Sequence, residues 1–178
     1  MCMNRRGIGS ITISSQISEL QARLRDSGKG VRTLATAESA TAGRIADVLT
    51  DVPGSSEYVC GGIVAYSNDA KMRLLGVRAS SLSEYGAVSE EVACEMAEGG
   101  RRMLNADVCV SDSGIAGPGG ATATKPVGLF YIALATSTGC RPHEFHFHGD
   151  RFHNKEAALE AALTLIRDYL VQCCDAQE

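Results

Sequence analysis

The chain has 178 residues, 44% of them hydrophobic, and a formal net charge of −4. That length suits one domain with a core large enough to need no disulfide or metal staple. The acidic balance leaves no overall electrostatic footprint for nucleic acid, and no apolar run approaches the about 18 residues of a membrane span.

The N-terminal stretch carries Arg5 and Arg6 but no apolar segment behind them, so it does not read as a secretory signal. Seven cysteines form an odd set without a CxxC pair. They read as small buried apolar residues, plus Cys173 and Cys174 near the C-terminus, in a reducing cytoplasm. A bridge between those two neighbours would be strained.

In chain order, residues 1–13 read as a flexible arm. Ser14 or Ser15 is placed to cap a first helix, whose Ile17, Leu20 and Leu24 keep helical spacing until Gly28 and Gly30. A strand over 31–35 leads into Thr36-Ala37-Glu38-Ser39-Ala40-Thr41-Ala42-Gly43, and Ile45, Val48 and Leu49 mark the helix beyond. Ser39 therefore falls at the carboxyl end of a strand and the start of a helix. Ligands gather at that end in open α/β sheets, where a helix offers unpaired N–H groups and its positive end. Small residues at 40, 42 and 43 allow close approach to the backbone. On this stretch alone, capping by Ser39 or Thr41 is the competing reading.

Asp51-Val52-Pro53-Gly54 forms a turn, and a strand over 58–66 contains Gly61-Gly62, a sign of close approach by backbone or ligand. Ser67 caps a helix over 68–75 that Gly76 closes. Lys71 lies near that helix's start, where the dipole disfavours a cation, and reads as either a solvated lysine or one placed for a purpose. Ser89-Glu90-Glu91 opens the clearest helix, with Val92, Ala93, Met96, Ala97, Gly100, Met103 and Leu104 as one buried stripe.

A strand over 107–111 feeds Asp112-Ser113-Gly114-Ile115-Ala116-Gly117-Pro118-Gly119-Gly120. Glycines at 114, 117, 119 and 120 leave backbone N–H groups uncovered, a nest suited to an anion, in neither P-loop nor dinucleotide spacing. A ligand loop is favoured over a plain surface loop. Residues 127–136 and 142–148 read as a hairpin, with Phe145 and Phe147 on one face and His146 and His148 on the other. No convincing third ligand accompanies that His-x-His pair, so it reads as half-exposed strand residues. Gly149-Asp150-Arg151 starts the last helix, with Leu159, Ala162, Leu163, Ile166 and Leu170 buried, and the Arg151 fork suits a phosphate. Residues 14–172 form the domain and 173–178 a tail.

These pieces share one chemistry. Ser39 can serve as nucleophile and Lys71 as neutral base, and Tyr66 can relay a proton or stack on a ring. Backbone N–H groups or the Ser113 hydroxyl can bind an oxyanion, and Arg151 a phosphate. A serine–lysine pair needs neither histidine nor metal, only a lysine whose pKa is lowered.

The blocks Ala37-Glu38-Ser39-Ala40-Thr41-Ala42-Gly43, Asp51-Val52-Pro53-Gly54-Ser55-Ser56 and Gly61 to Lys71 carry a family resemblance. It extends through Leu74-Leu75-Gly76-Val77, Gly86 to Val92, Ser113 to Gly120 and Gly149-Asp150-Arg151. In that order they resemble the CinA C-terminal domain family, the stand-alone nicotinamide-mononucleotide deamidases, from about Gln16 to Leu170. The resemblance implies a three-layer α/β/α sandwich around a mixed, mostly parallel five-stranded sheet. It also implies hydrolysis of nicotinamide mononucleotide to nicotinate mononucleotide and ammonia, in pyridine-nucleotide salvage. The family's nucleophile falls on Ser39, its lysine on Lys71, its tyrosine on Tyr66, its arginine on Arg151 and its loop hydroxyl on Ser113. Glu38, Thr41 and Gly43 of the opening motif, with Gly114, Gly117, Gly119 and Gly120, are expected to bind substrate. No metal or cofactor is expected, and the partner is a small molecule, not nucleic acid or a membrane, in a homo-oligomer.

Two departures stand out: Ala40 and Ala42 occupy places where the family often has cysteine and glycine, and 121–124 match poorly. The amino-terminal nucleotide-hydrolase domain of two-domain members falls outside the resemblance, so nothing of it is carried over. Two other readings compete, a nucleotide-binding module that has lost catalysis and a serine–lysine amidase for another small amide. Retention of Ser39, Tyr66 and Lys71 together argues against the first.

Overall fold

Strands that bury both faces need a helical layer on each side, and β1 (Leu34–Glu38) is buried at all five positions. The computed structural model describes residues 8–30 and 32–176. In it β1 pairs in parallel with β2 (Val59–Val64) on one side and β3 (Val108–Gly114) on the other. A hairpin, β4 (Leu129–Thr136) and β5 (Gly139–His146), continues the sheet beyond β3 with antiparallel pairing. The order is β2-β1-β3-β4-β5, so β4 alone runs against the other four.

One layer contains α1 (Ile8–Asp26), α2 (Arg44–Thr50) and α6 (Arg151–Asp175). Ile17, Leu24, Leu159, Leu163 and Leu170 pack there against Val108, Val110 and Phe130 of the sheet. The opposite layer holds α3 (Asn68–Leu75), α4 (Ala79–Glu84) and α5 (Glu90–Met103). There Leu75, Val92 and Met96 cover Ala35, Ala37 and Cys109. The expected three-layer sandwich is the observed one. From β1 the chain crosses to β2 on one side, then returns past β1 to β3, which places a switch point at their carboxyl ends. No helix is long and apolar enough to cross a membrane among the described residues.

Local chemistry explains where the sequence reading holds. Ser67 accepts from the Ala70 N–H and Gly76, at φ 70°, closes α3. Ser89 accepts from the Val92 N–H to start α5.

Tertiary contacts explain where it shifts. The first helix begins at Ile8, so within 1–13 only residues 1–7 lie outside the described residues. Ser14 bonds the Val48 carbonyl and Ser15 that of Ile11, so both are interior helix residues, not caps. The strand expected over 31–35 lies at Leu34–Glu38, because the Gln21 side chain takes both the N–H and the carbonyl of Arg32. Met103 is exposed rather than part of the α5 stripe. Of the tail expected at 173–178, α6 continues through Asp175, with Cys174 buried and its carbonyl bound by Lys29, and 177–178 lie outside the described residues. Cys60 is exposed, and all six described cysteines are free.

Close packing of α5 on the end of α3 depends on a missing side chain. A Cβ on Gly99 would lie 1.9 Å from the Leu75 carbonyl oxygen, whereas one on Gly119 meets nothing within 4 Å. Gly99→Ala is expected to lower the unfolding free energy by about 1–3 kcal/mol. Gly119→Ala should change it by about 0.5 kcal/mol or less. Urea unfolding midpoints check both, and equal midpoints would contradict the packing described.

Candidate active site

Two buried carboxylates shape the turn that follows β1. Glu38, the last residue of the strand, is fully buried and accepts from Gly43 N at 2.7 Å, Ala46 N at 2.9 Å and Ile45 N at 3.1 Å. It thereby satisfies the open N–H groups of α2 from inside, where Gly43 at φ 93° supplies no side-chain cap. Asp112, on β3, accepts from Ala40 N at 2.8 Å and from Ser39 N and Thr41 N at 3.1 Å each. The Thr41 hydroxyl lies between the two acids, 2.7 Å from Glu38 Oε2 and in a very short contact with Asp112 Oδ1. Burial, with Glu38 adding to it, pushes the Asp112 carboxyl up to about 6 against the opposing hydrogen bonds from Thr41 and Ser39.

Held in this way, Ser39 faces Lys71. The lysine is the fourth residue of α3 and is 2% exposed. Its Nζ lies 2.8 Å from Ser39 Oγ, 2.9 Å from the Ala65 carbonyl and 3.2 Å from that of Tyr66. Burial lowers its pKa, and the Asp112 charge pulls the other way. All three oxygens can accept from the ammonium; in the neutral amine, with two N–H donors and one lone pair, the carbonyls take the two donors. In that state the Ser39 hydroxyl donates to Nζ.

The pair opens into a crevice of about 190 Å³, whose walls include Tyr66, Asn68, Ala87, Val88, Ser113, Gly114, Ala116 and Arg151. Arg151 bonds the Gly117 carbonyl at 2.8 Å through Nη1, and the Tyr66 hydroxyl lies 3.3 Å from Nη2. A roomier hollow of about 390 Å³ between the hairpin and α6 is lined by neither a serine nor a lysine.

Ser39, Tyr66, Lys71, Ser113, Gly114 and Arg151 are thus brought to one crevice. Other candidates are not. Glu38 and Thr41 are fully buried and Gly43 N is bonded to Glu38, so these three support the turn and do not line the crevice. Gly117 contributes only its carbonyl, as the anchor of Arg151, and Gly119 and Gly120 stand away from the walls. Ser113 lines the site, but its hydroxyl proton goes to the Ala87 carbonyl at 2.6 Å, which removes it as the expected oxyanion donor. Capping by Ser39 or Thr41 is replaced by the Glu38 carboxylate. The structure adds Asn68, Ala87 and Val88 as wall residues and Asp112 as the acid under the turn. An aspartate continuing an apolar strand was a readable signal. His146 and His153 pair with Glu144 and Asp150. No group of three metal-ligating side chains converges among the described residues.

The family model described as the CinA C-terminal domain matches residues 14–170. A CinA-like protein of Geotalea uraniireducens is 54% identical over 82% of this chain, and that segment is 34% of the relative's own length. One from Chloroherpeton thalassium is 50% identical over 78% of the chain, again 34% of its own length. The chain therefore spans about a third of the length of these curated relatives. Among solved structures, the competence/damage inducible protein CihA of Agrobacterium tumefaciens superposes with TM-score 0.84 at 35% identity, covering 96% of this chain and 100% of its own. The competence damage-inducible protein A of Klebsiella pneumoniae gives 0.83 at 29% identity, covering 91% and 97%.

Burial of Lys71 has a thermodynamic signature. Its folded pKa lies below the ordinary 10.5, so between those two values the unfolded chain binds more protons, and stability rises with pH. Below the folded pKa the full penalty is present. Lys71→Met removes this dependence, so the unfolding free energy of the variant minus that of the wild type should fall as pH rises towards about 10.5. Urea unfolding at several pH values reads the difference, and a constant one would contradict a depressed lysine.

Proposed function

Since the chain belongs to the CinA C-terminal domain family, we propose that it hydrolyses the carboxamide of nicotinamide mononucleotide, releasing nicotinate mononucleotide and ammonia. The observation that carries this reading is the 2.8 Å contact between Lys71 Nζ and Ser39 Oγ at the base of a crevice that also contains Arg151. The arginine has five N–H donors, and the Gly117 carbonyl and Tyr66 hydroxyl engage only part of the fork, which leaves room for a phosphate. Tyr66 is 63% exposed and lines the crevice, so its ring is available to stack on a pyridinium.

Neutral Lys71 takes the Ser39 proton as Oγ attacks the carboxamide carbon, and the carbonyl oxygen becomes the oxyanion of a tetrahedral adduct. The new ammonium is itself a stabilising charge beside that oxygen. Backbone N–H groups of 39–41 are occupied by Asp112, so further stabilisation falls to side-chain donors that line the crevice, Asn68 at the start of α3 among them. When the adduct collapses, the C–N bond breaks and Lys71 returns the proton to the leaving nitrogen, which departs as ammonia. Water then attacks the ester on Ser39 with Lys71 again as base, releasing the carboxylate and restoring the hydroxyl.

The sign of the pH dependence follows: the rate rises as Lys71 loses its proton, through a pKa that burial has lowered. Ammonia release over nicotinamide mononucleotide, its riboside and nicotinamide tests the assignment. The mononucleotide should be much the best substrate. Ser39→Ala and Lys71→Arg should each lose about 10³-fold or more, and the double variant little beyond that, because arginine stays protonated and residues acting as a unit are not additive. Equal turnover of the riboside overturns the phosphate role, and an active Lys71→Arg variant overturns the base.

A further inference from the structure

A turn that bends back on itself between β1 and α2 carries N–H groups that need acceptors. Three successive ones, from Ser39, Ala40 and Thr41, point at a single side chain, Asp112. That carboxylate comes from the neighbouring strand β3, is fully buried, and does not line the crevice. Charged groups face it from three elements: Glu38 at the end of β1, Lys71 on α3 and Lys155 on α6. Glu38 opposes its ionisation. Asp112 in turn favours the protonated form of Lys71, and of Lys155.

We propose that Asp112 is a positioning residue for the serine–lysine pair, its carboxylate, bonded to three successive N–H groups, fixing the turn that aims Ser39 at Lys71. The proposal rests on Ser39 as nucleophile and Lys71 as base, but not on which amide is the substrate. The same anion also favours the protonated form of Lys71, so it acts on the pair in two opposite ways. The anion orders the nucleophile, and it also delays the deprotonation that the lysine needs in order to accept a proton.

Asparagine and glutamate variants separate these effects. Asp112→Asn is isosteric but uncharged, whereas Asp112→Glu keeps the charge and misplaces it. The probe is phenylmethanesulfonyl fluoride, whose sulfur bonds to Ser39 Oγ with loss of fluoride while the hydroxyl proton passes to Lys71. Adduct formation is followed by mass spectrometry across pH. In Asp112→Asn the labelling plateau should fall by roughly 10–100-fold, the scale of a misplaced nucleophile, and the rising limb should move to lower pH. In Asp112→Glu the plateau should fall with the limb left where the wild type has it. A lowered plateau with an unmoved limb in the asparagine variant makes Asp112 merely structural and overturns the proposal, as does wild-type behaviour in that variant.

Should neither variant fold, the wild type decides. Its Ser39, Ala40 and Thr41 amide proton shifts should titrate together with a midpoint near the Asp112 value of about 6, and unconnected titrations overturn the assignment. If labelling behaves as described while nicotinamide mononucleotide is not hydrolysed, the role of Asp112 stands and the substrate reading falls. If Ser39 of the wild type takes no label at any pH, the pair and this proposal fall together.

Discussion

Everything at this site depends on a lysine kept out of water with no carboxylate in contact with it among the described residues. Lys71 is 2% exposed, and its bonded partners are one hydroxyl and two backbone carbonyls. A buried ammonium with such neutral partners is expensive, and the group responds by giving up its proton more readily. The fold tolerates this because α3 is fixed at both ends, by the Ser67 cap and the Gly76 turn, and because α5 packs closely on it through Gly99. A penalty of this kind lies where function needs it, and the rest of the core offsets it.

Sheet topology turns that penalty into a site. Parallel pairing of β1 with both β2 and β3 delivers Ser39, the segment leading to Lys71, and Ser113 to the same edge of the sheet. Glu38 stands opposite Val64 in register, so the turn after β1 and the loop after β2 leave together. The hairpin then sends the chain into α6, whose first residue, Arg151, spans from the Gly117 carbonyl to the Tyr66 hydroxyl. The glycine-rich loop thus serves by anchoring an arginine, with Gly114 the one member of its four glycines that reaches the crevice wall.

Legibility in the sequence followed the range of the interactions. The caps at Ser67, Gly76 and Ser89 were readable because each bond spans three or so residues. The Ser39–Lys71 pair was readable as chemistry, and its contact required only that two strands be parallel neighbours, as they are. What escaped reading was long-range. Asp112 reaches the turn across 73 positions, and the Ala87 carbonyl that takes the Ser113 proton lies 26 positions away. Glu38 belongs to the opening motif, which the resemblance assigns to substrate binding, yet its carboxylate accepts from N–H groups at the start of α2. Met103 fits the helical stripe of α5 by spacing, but it is the last residue of the helix and is exposed.

The central claim is that Ser39 forms a covalent bond to the substrate carbonyl. Rapid quenching of the protein with nicotinamide mononucleotide, followed by mass spectrometry of its peptides, tests it most directly. The account predicts an ester on Ser39 with the mass of the mononucleotide less ammonia, accumulating before steady state and discharged by water. Steady ammonia release with no adduct on Ser39 at any quench time, or an adduct on another residue, would contradict it.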